Sequence, residues 1–256
     1  SGIGLASARL FGSFGAKGVM AARSLDKLQA EAASVSSDPS KVFCVKADVS
    51  KEEDCRNLIE KTVEKFGRID ILVNNAGLSM RAMFKDLDLS VIKSLMDVNF
   101  WGTVFCTKFA LPYLLQTKGS VVGVISIAGY TALPARTGYS SSKYAIRGFL
   151  DTVRIEHVHD GLHVLVFAPG YTSSNVRNAA LTADGSAQGE TPLDEGKLMS
   201  AEAVAEEMAK AIYKRKTLKI LTGLGKVSVL FHNLFPDLMD KLTYMYIARE
   251  ANSPFK

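Results

Sequence analysis

Short apolar runs alternate along this chain with longer stretches in which apolar residues recur every three or four positions. The runs at 18–22, 42–45, 69–73, 121–126, 164–168 and 219–221 read as strands, and the intervening stretches read as helices. Val42-Phe43-Cys44-Val45 and Val164-Leu165-Val166-Phe167 have no alternating polar positions. Strands that apolar are covered on both faces, which predicts an α/β fold: one doubly wound parallel sheet with helices on either side. Residues 1–256 then form a single domain, and ligands bind beyond the C-terminal ends of the strands. Arg23, Asp48, Asn74, Ser126 and Pro169 each stand at or just after such an end.

Composition agrees with one globular domain: 256 residues, 47% hydrophobic and 22% charged, with no low-complexity tract. No run reaches about 18 apolar residues, so no membrane-spanning helix is expected, and the first residues do not read as a signal peptide. Cys44, Cys55 and Cys106 are odd in number and widely spaced, which suits reduced thiols in a cytoplasmic protein rather than a disulfide frame. The four histidines show no pairing with metal-ligand spacing, so no metal is expected. The formal charge of +5 is scattered, without the basic stripe that would point to nucleic acid.

Chemistry enters at Tyr139-Ser140-Ser141-Ser142-Lys143, with Ser126 thirteen residues earlier. On a helix over 138–157, Tyr139 and Lys143 share one face, and the ammonium would favour the phenolate and make the phenol a usable acid and base. Alone, the same spacing also describes a packed tyrosine above a solvated lysine. Its company decides: Ser1-Gly2-Ile3-Gly4, Asp48-Val49, Asn74-Asn75-Ala76-Gly77, Asn99 and Pro169-Gly170 follow in order. With these motifs the whole chain resembles the short-chain dehydrogenase/reductase family, a Rossmann-type fold. Its tail and the stretch from 169 to 198 are similar to the dehydrogenase/reductase member 7B and 11β-hydroxysteroid dehydrogenase types within it.

That resemblance implies a hydride-transferring oxidoreductase acting between a ketone and a secondary alcohol. Asn99, Ser126, Tyr139 and Lys143 would be the catalytic residues: Tyr139 protonating the oxygen, Ser126 hydrogen-bonding it, Lys143 also binding the nicotinamide ribose, and Asn99 holding a relay water. Ser1, Gly2, Ile3 and Gly4 would hold pyrophosphate at a helix start. Asp48 and Val49 would border adenine, Asn75, Ala76 and Gly77 would line the adenosine side, and Pro169, Gly170, Thr172 and Ser174 would shape the nicotinamide pocket. Asn74 would tie strands together. Ser174 stands where relatives carry threonine, which keeps the hydroxyl. NAD-specific relatives place an acid at the position of Ala22; here Arg23 and Ser24 follow instead, and a guanidinium suits a 2′-phosphate, so NADP(H) is the expected cofactor. The family's first strand would precede Ser1, and without it two strand edges would lie open.

Residues 171–200 read as a mobile substrate lid or as a disordered surface insertion. Residues 217–256 form an apolar and basic extension; residues 201–256 hold nine Lys and Arg against six Asp and Glu. The extension serves as a pocket or subunit wall, with peripheral membrane contact as the other reading. The resemblance also implies a homodimer or homotetramer and a bulky lipid- or steroid-like carbonyl substrate. A catalytically idle NADP-binding regulator or scaffold remains the alternative to an enzyme.

Overall fold

The computed structural model describes residues 1–173, 176–189, 198–249 and 253–255. Its strands are β1 (Gly18–Ala22), β2 (Val42–Lys46), β3 (Ile71–Asn74), β4 (Ser120–Val124), β5 (His163–Ala168) and β6 (Leu218–Ile220), all paired in parallel. The helices are α1 (Gly2–Ser13), α2 (Leu25–Val35), α3 (Glu52–Phe66), α4 (Leu89–Leu95), α5 (Gly102–Thr117), α6 (Thr137–Glu156), α7 (Ala201–Tyr213), α8 (Gly223–Leu234) and α9 (Pro236–Ala248). Each predicted strand is present, within two residues at either end.

The core follows from the uninterrupted apolar strands. All of β4 and β5 is buried, and Val121, Val122, Val164, Leu165 and Phe167 have no measurable exposure. One face packs on α5 and α6 through Leu114, Ile146 and Leu150, and the other packs on α7 through Val204 and Met208. Burial of this kind stabilises by about 25 cal/mol per Å² of apolar surface. The predicted run 121–126 ends as a strand at Val124, because Ser126 turns to cap a short 3₁₀ turn and accepts a hydrogen bond from Ala128 N–H at 3.2 Å.

The sheet is divided. β1 and β2 pair with each other, while β3, β4, β5 and β6 form a second sheet in that order. β1 and β3 face opposite sides of one cleft. The division falls where the resemblance assigned a further strand.

A π-helical segment, Met96–Trp101, joins α4 to α5. The wider turn changes the register and puts Asn99 wholly inside. Close approach at one glycine fixes how α1 meets the end of α2. A Cβ on Gly12 would lie 2.0 Å from the Val35 carbonyl oxygen. Backbone cannot yield as a side-chain tip does, so Gly12→Ala is expected to destabilise the fold by about 1–3 kcal/mol, read as a lower denaturant midpoint with an unchanged slope.

Candidate functional site

The strand ends of β1, β3, β4 and β5 open into a cavity that is continuous with the cleft between the two sheets, about 2460 Å³ for both together. Helix α6 starts beside it, and its first turns deliver Tyr139 and Lys143 to the same wall. Lys143 is 4% exposed, and its Nζ donates to the Val124 carbonyl oxygen at 3.0 Å, where β4 has just ended. Nζ lies 5.7 Å from the centre of the Tyr139 ring. Two glycines make room for the lysine: a Cβ on Gly77 would stand 3.4 Å from Nζ, and one on Gly129 would stand 3.1 Å from the Lys143 carbonyl oxygen.

Burial sets the acid–base balance here. It lowers Lys143 from the ordinary 10.5 to about 8, because the charged form loses solvation. It also raises the Tyr139 phenol above its ordinary value, against the opposite pull of the Ser126 hydroxyl and the Arg136 guanidinium. The expectation of a phenol held down by the lysine is therefore corrected for the ligand-free protein. An ammonium this desolvated and itself drawn toward neutrality does not offset what burial does to the phenol.

Asn99 stands behind the wall rather than in it. Its Oδ1 accepts from Leu78 N–H at 2.7 Å, and its Nδ2 donates to the Leu78 carbonyl oxygen at 3.0 Å and to Ser142 Oγ at 2.9 Å. These bonds tie the loop after β3 to α6 and so fix the rotation of the helix that carries Tyr139. Ser142 was not singled out in the sequence, although it lies within the tyrosine–lysine motif. Asn74 pairs with Gly123 in the β3–β4 ladder, and its side chain also ties β3 to helix α5 by donating to Thr107 Oγ1 at 3.1 Å.

The remaining predicted residues line the cavity from its other end. Ser1 is the N-cap of α1, and Gly2 has φ 58°, a left-handed value that glycine reaches without strain. Ile3 packs on the β4–β5 core, and a Cβ on Gly4 would come within 2.8 Å of Asn75 Nδ2. Ala76 and Gly77 continue that edge. Arg23 is exposed at the end of β1 with Ser24 beside it. Burial pulls the Asp48 carboxyl upward, but two hydrogen bonds from Ser50 and the charges of Arg23 and Lys51 leave it below the usual carboxylate range. Val49 closes against Gly102, where a Cβ would be 2.8 Å from Val49 Cγ2. Pro169, Gly170 and Thr172 follow β5 into the cavity, with Gly170 pressed on Thr222, the N-cap of α8. Ser174 lies outside the described residues.

Two further walls complete the cavity. Leu224, Val227, Phe231, Leu242 and Tyr246 of α8 and α9 supply apolar surface. Of the segment expected as a mobile lid, residues 176–189 are stitched by backbone hydrogen bonds to 79–88: Leu181 N–H to Ser79 at 2.8 Å, Arg81 N–H to Leu181 at 2.8 Å and Asp88 N–H to Ala183 at 2.9 Å. This part is an ordered side wall, while residues 174, 175 and 190–197 of the same expectation lie outside the described residues. Among the described residues, no cluster of His, Cys, Asp and Glu could hold a metal ion, and no helix is long and apolar enough to cross a membrane.

Residues 1–184 match the family model described as short chain dehydrogenase. The chain belongs to the short-chain dehydrogenase family. It is 34% identical over 260 residues to 11-beta-hydroxysteroid dehydrogenase 1A of Arabidopsis thaliana, covering 96% of this chain and 73% of the relative. It is 32% identical over 259 residues to dehydrogenase/reductase SDR family member 7B of Mus musculus, covering 99% and 80%. Among solved structures, an alcohol dehydrogenase from Thermococcus sibiricus complexed with 5-hydroxy-NADP aligns with TM-score 0.73 at 25% identity, covering 86% of this chain and 91% of that one.

Short-chain dehydrogenases are oxidoreductases that interconvert carbonyls and alcohols with a nicotinamide cofactor. The residues present fit such a group. The Gly4–Asn75 contact leaves no Cβ between the α1 start and the loop after β3, α1 opens on the cavity with its unpaired N–H groups, and the cavity runs unbroken from Arg23 to Tyr139.

Two measurements check this geometry. Asn99→Ala leaves both Leu78 backbone groups without this partner and removes the bond that the Ser142 hydroxyl accepts, so it is expected to cost about 2–4 kcal/mol in denaturant unfolding. The folded protein holds the Lys143 proton less tightly than the unfolded chain does. Its destabilising effect is therefore fully present below pH 8 and relieved as pH rises from about 8 to 10.5. Ligand-free protein should gain about 3 kcal/mol of unfolding free energy between pH 7 and pH 10.5 relative to a Lys143→Met variant, which lacks that slope.

Proposed function

We propose that the protein is an NADP(H)-dependent carbonyl reductase acting on a bulky, hydrophobic ketone of lipid or steroid type, or on the corresponding alcohol in reverse. The observation that carries this reading is the convergence of Ser126, Tyr139 and buried Lys143 on one end of a cavity whose far wall is apolar. A nicotinamide cofactor held in the cavity would supply a hydride to the carbonyl carbon. Tyr139 hands its phenol proton to the carbonyl oxygen as charge develops there, and Ser126 donates a hydrogen bond to the same oxygen. Lys143 keeps two of its three N–H donors for groups in the cavity, since the Val124 carbonyl takes one. In this reading they hold the ribose hydroxyls, and restored charge on Lys143 then lowers the phenol's hold on its proton. Asn99 acts by holding α6, with a relay water in its neighbourhood.

The preference for NADP(H) rests on Arg23 at the end of β1, with Ala22 where a carboxylate would repel phosphate. The neighbour solved with 5-hydroxy-NADP and the relatives named as steroid dehydrogenases support the cofactor and substrate classes. The same reading places the enzyme in the reducing cytoplasm, with Cys44, Cys55 and Cys106 as free thiols, as a homodimer or homotetramer. Peripheral membrane contact is supported by the outer side of α8 and α9, where Leu230, Leu234, Phe235 and Leu238 are exposed beside Lys226 and Lys241.

Tyr139→Phe is expected to lower kcat by about 10²–10⁴ on whichever ketone is turned over while leaving NADPH binding intact. Tight NADPH binding with no turnover of any ketone by the unaltered protein would transfer weight to the idle-regulator reading. Arg23→Ala should raise KM for NADPH about 10- to 100-fold with little effect on NADH, as a charge-assisted phosphate contact is lost.

A further inference from the structure

Ser126 reaches the cavity from the turn after β4, whereas Tyr139 and Lys143 reach it from α6, so their spacing depends on how that turn sits on the helix. The chain leaves the sheet after Ile125, whose N–H donates to the Phe167 carbonyl oxygen at 2.8 Å. Beyond it the turn bonds to itself. Gly129 N–H donates to the Ser126 carbonyl oxygen at 2.9 Å, and Tyr130 and Thr131 N–H donate to that of Ile127 at 2.8 and 3.0 Å. Residues 126–131 thus form one small unit, and Tyr130 is where α6 grips it. Tyr130 is buried in the apolar cluster that holds Ile146 and Leu150 of α6. The Tyr144 hydroxyl donates to the Tyr130 carbonyl oxygen, and the Arg147 guanidinium lies over the Tyr130 ring, 4.0 Å from its centre. Asp151 steadies that guanidinium, with Oδ2 3.7 Å from Arg147 Nε, while its Oδ1 accepts from Arg154 Nη1 at 2.5 Å. Both gripping side chains stand within one turn of Lys143.

We propose that Tyr130 is a positioning residue for the reaction: held by Arg147 and Tyr144, it fastens the Ser126 turn to the helix that carries Tyr139 and Lys143, and so sets where the Ser126 hydroxyl stands. The proposal rests on the reading of Ser126 as a hydrogen-bond donor to the substrate oxygen.

Two ties then make α6 the common support of the reacting groups. Asn99 fastens the loop after β3 to it through Ser142, and Tyr130 fastens the turn after β4 to it through Tyr144 and Arg147. Gly129 lets the second tie close, because a Cβ there would stand 3.1 Å from the Lys143 carbonyl oxygen and 3.0 Å from Ile125 Cδ1. Tyr130, Tyr144 and Arg147 do not line the cavity, so they act on a ligand only through the turn they hold. A misplacement of about 1 Å costs on the order of 10²-fold in rate, which is the sensitivity that such a tie protects against. The ring face and the backbone carbonyl carry the grip, so Tyr130→Phe keeps it.

The test removes both grips at once with Tyr144→Phe and Arg147→Met, at an exposed and a half-buried position where the fold survives the change. Its first readout is hydrogen exchange by NMR at the Ala128 amide, which donates to Ser126 Oγ. The proposal expects this exchange to speed up at least about tenfold while the amides of β4 and β5 keep their protection. The second readout is turnover of a ketone substrate: kcat falls about tenfold or more with the Kd for NADPH unchanged. In a Ser126→Ala background the same pair of changes lowers kcat less than about twofold, since the group it positions is gone. Arg147→Lys, which keeps a cation over the ring, and Tyr130→Phe both stay within about twofold of the unaltered protein. Unchanged exchange at Ala128 would overturn the proposal whether or not any ketone is turned over. So would an unchanged kcat, or a loss of equal size with and without Ser126. The exchange readout needs neither cofactor nor substrate, so its failure is separate from that of the reductase reading, which fails when the unaltered protein turns over no ketone.

Discussion

A buried ammonium with a single backbone acceptor is the constraint around which this protein is arranged. Lys143 is almost wholly inside, and the Val124 carbonyl oxygen is its hydrogen-bond partner among the described residues. Placing a charge there without an acidic partner costs several kcal/mol, which is why its acidity moves to about 8. The fold tolerates that cost through local provisions. β3 ends at Asn74, opposite Gly123, one residue short of Val124, Gly77 and Gly129 leave the space, and the Asn99 bonds to Leu78 and Ser142 hold α6 so that the ammonium meets the Val124 carbonyl. A hydrophobic residue at 143 would spare the fold this desolvation but could not serve the proposed chemistry, the usual trade between stability and activity.

The same arrangement explains the shape of the cavity. Parallel strands release their chain ends on one side, so every loop that follows a strand contributes to a single opening. The end proposed for the dinucleotide is built from backbone and small residues at Gly2, Gly4 and Asn75–Gly77, while the end proposed for the reaction is built from α6 and walled by α8, α9 and the stitched segment 176–189. Close packing at the first end and apolar side chains at the second give one groove two different chemistries.

Much of this was legible in the sequence because it depends on local pattern. Fully apolar strands such as Val164–Phe167 announce a sheet covered on both faces, and the ordered motifs single out Ser126, Tyr139 and Lys143. What stayed hidden depends on non-local geometry. The π segment that turns Asn99 inward carries no composition signal. The tyrosine–lysine spacing suggested a phenol made acidic by its neighbour, yet the spacing contains no information about desolvation, which dominates both groups. The stretch expected to be a free lid read so from its small polar residues; its backbone bonds to 79–88 could not be seen from composition.

The central claim is that a desolvated lysine at the end of β4 organises the reacting end of a short-chain dehydrogenase. Its most direct test is an NMR titration of the Lys143 side-chain nitrogen in the ligand-free protein. The account predicts a midpoint near 8; a midpoint at the ordinary lysine value of about 10.4 would show a solvated ammonium and contradict it.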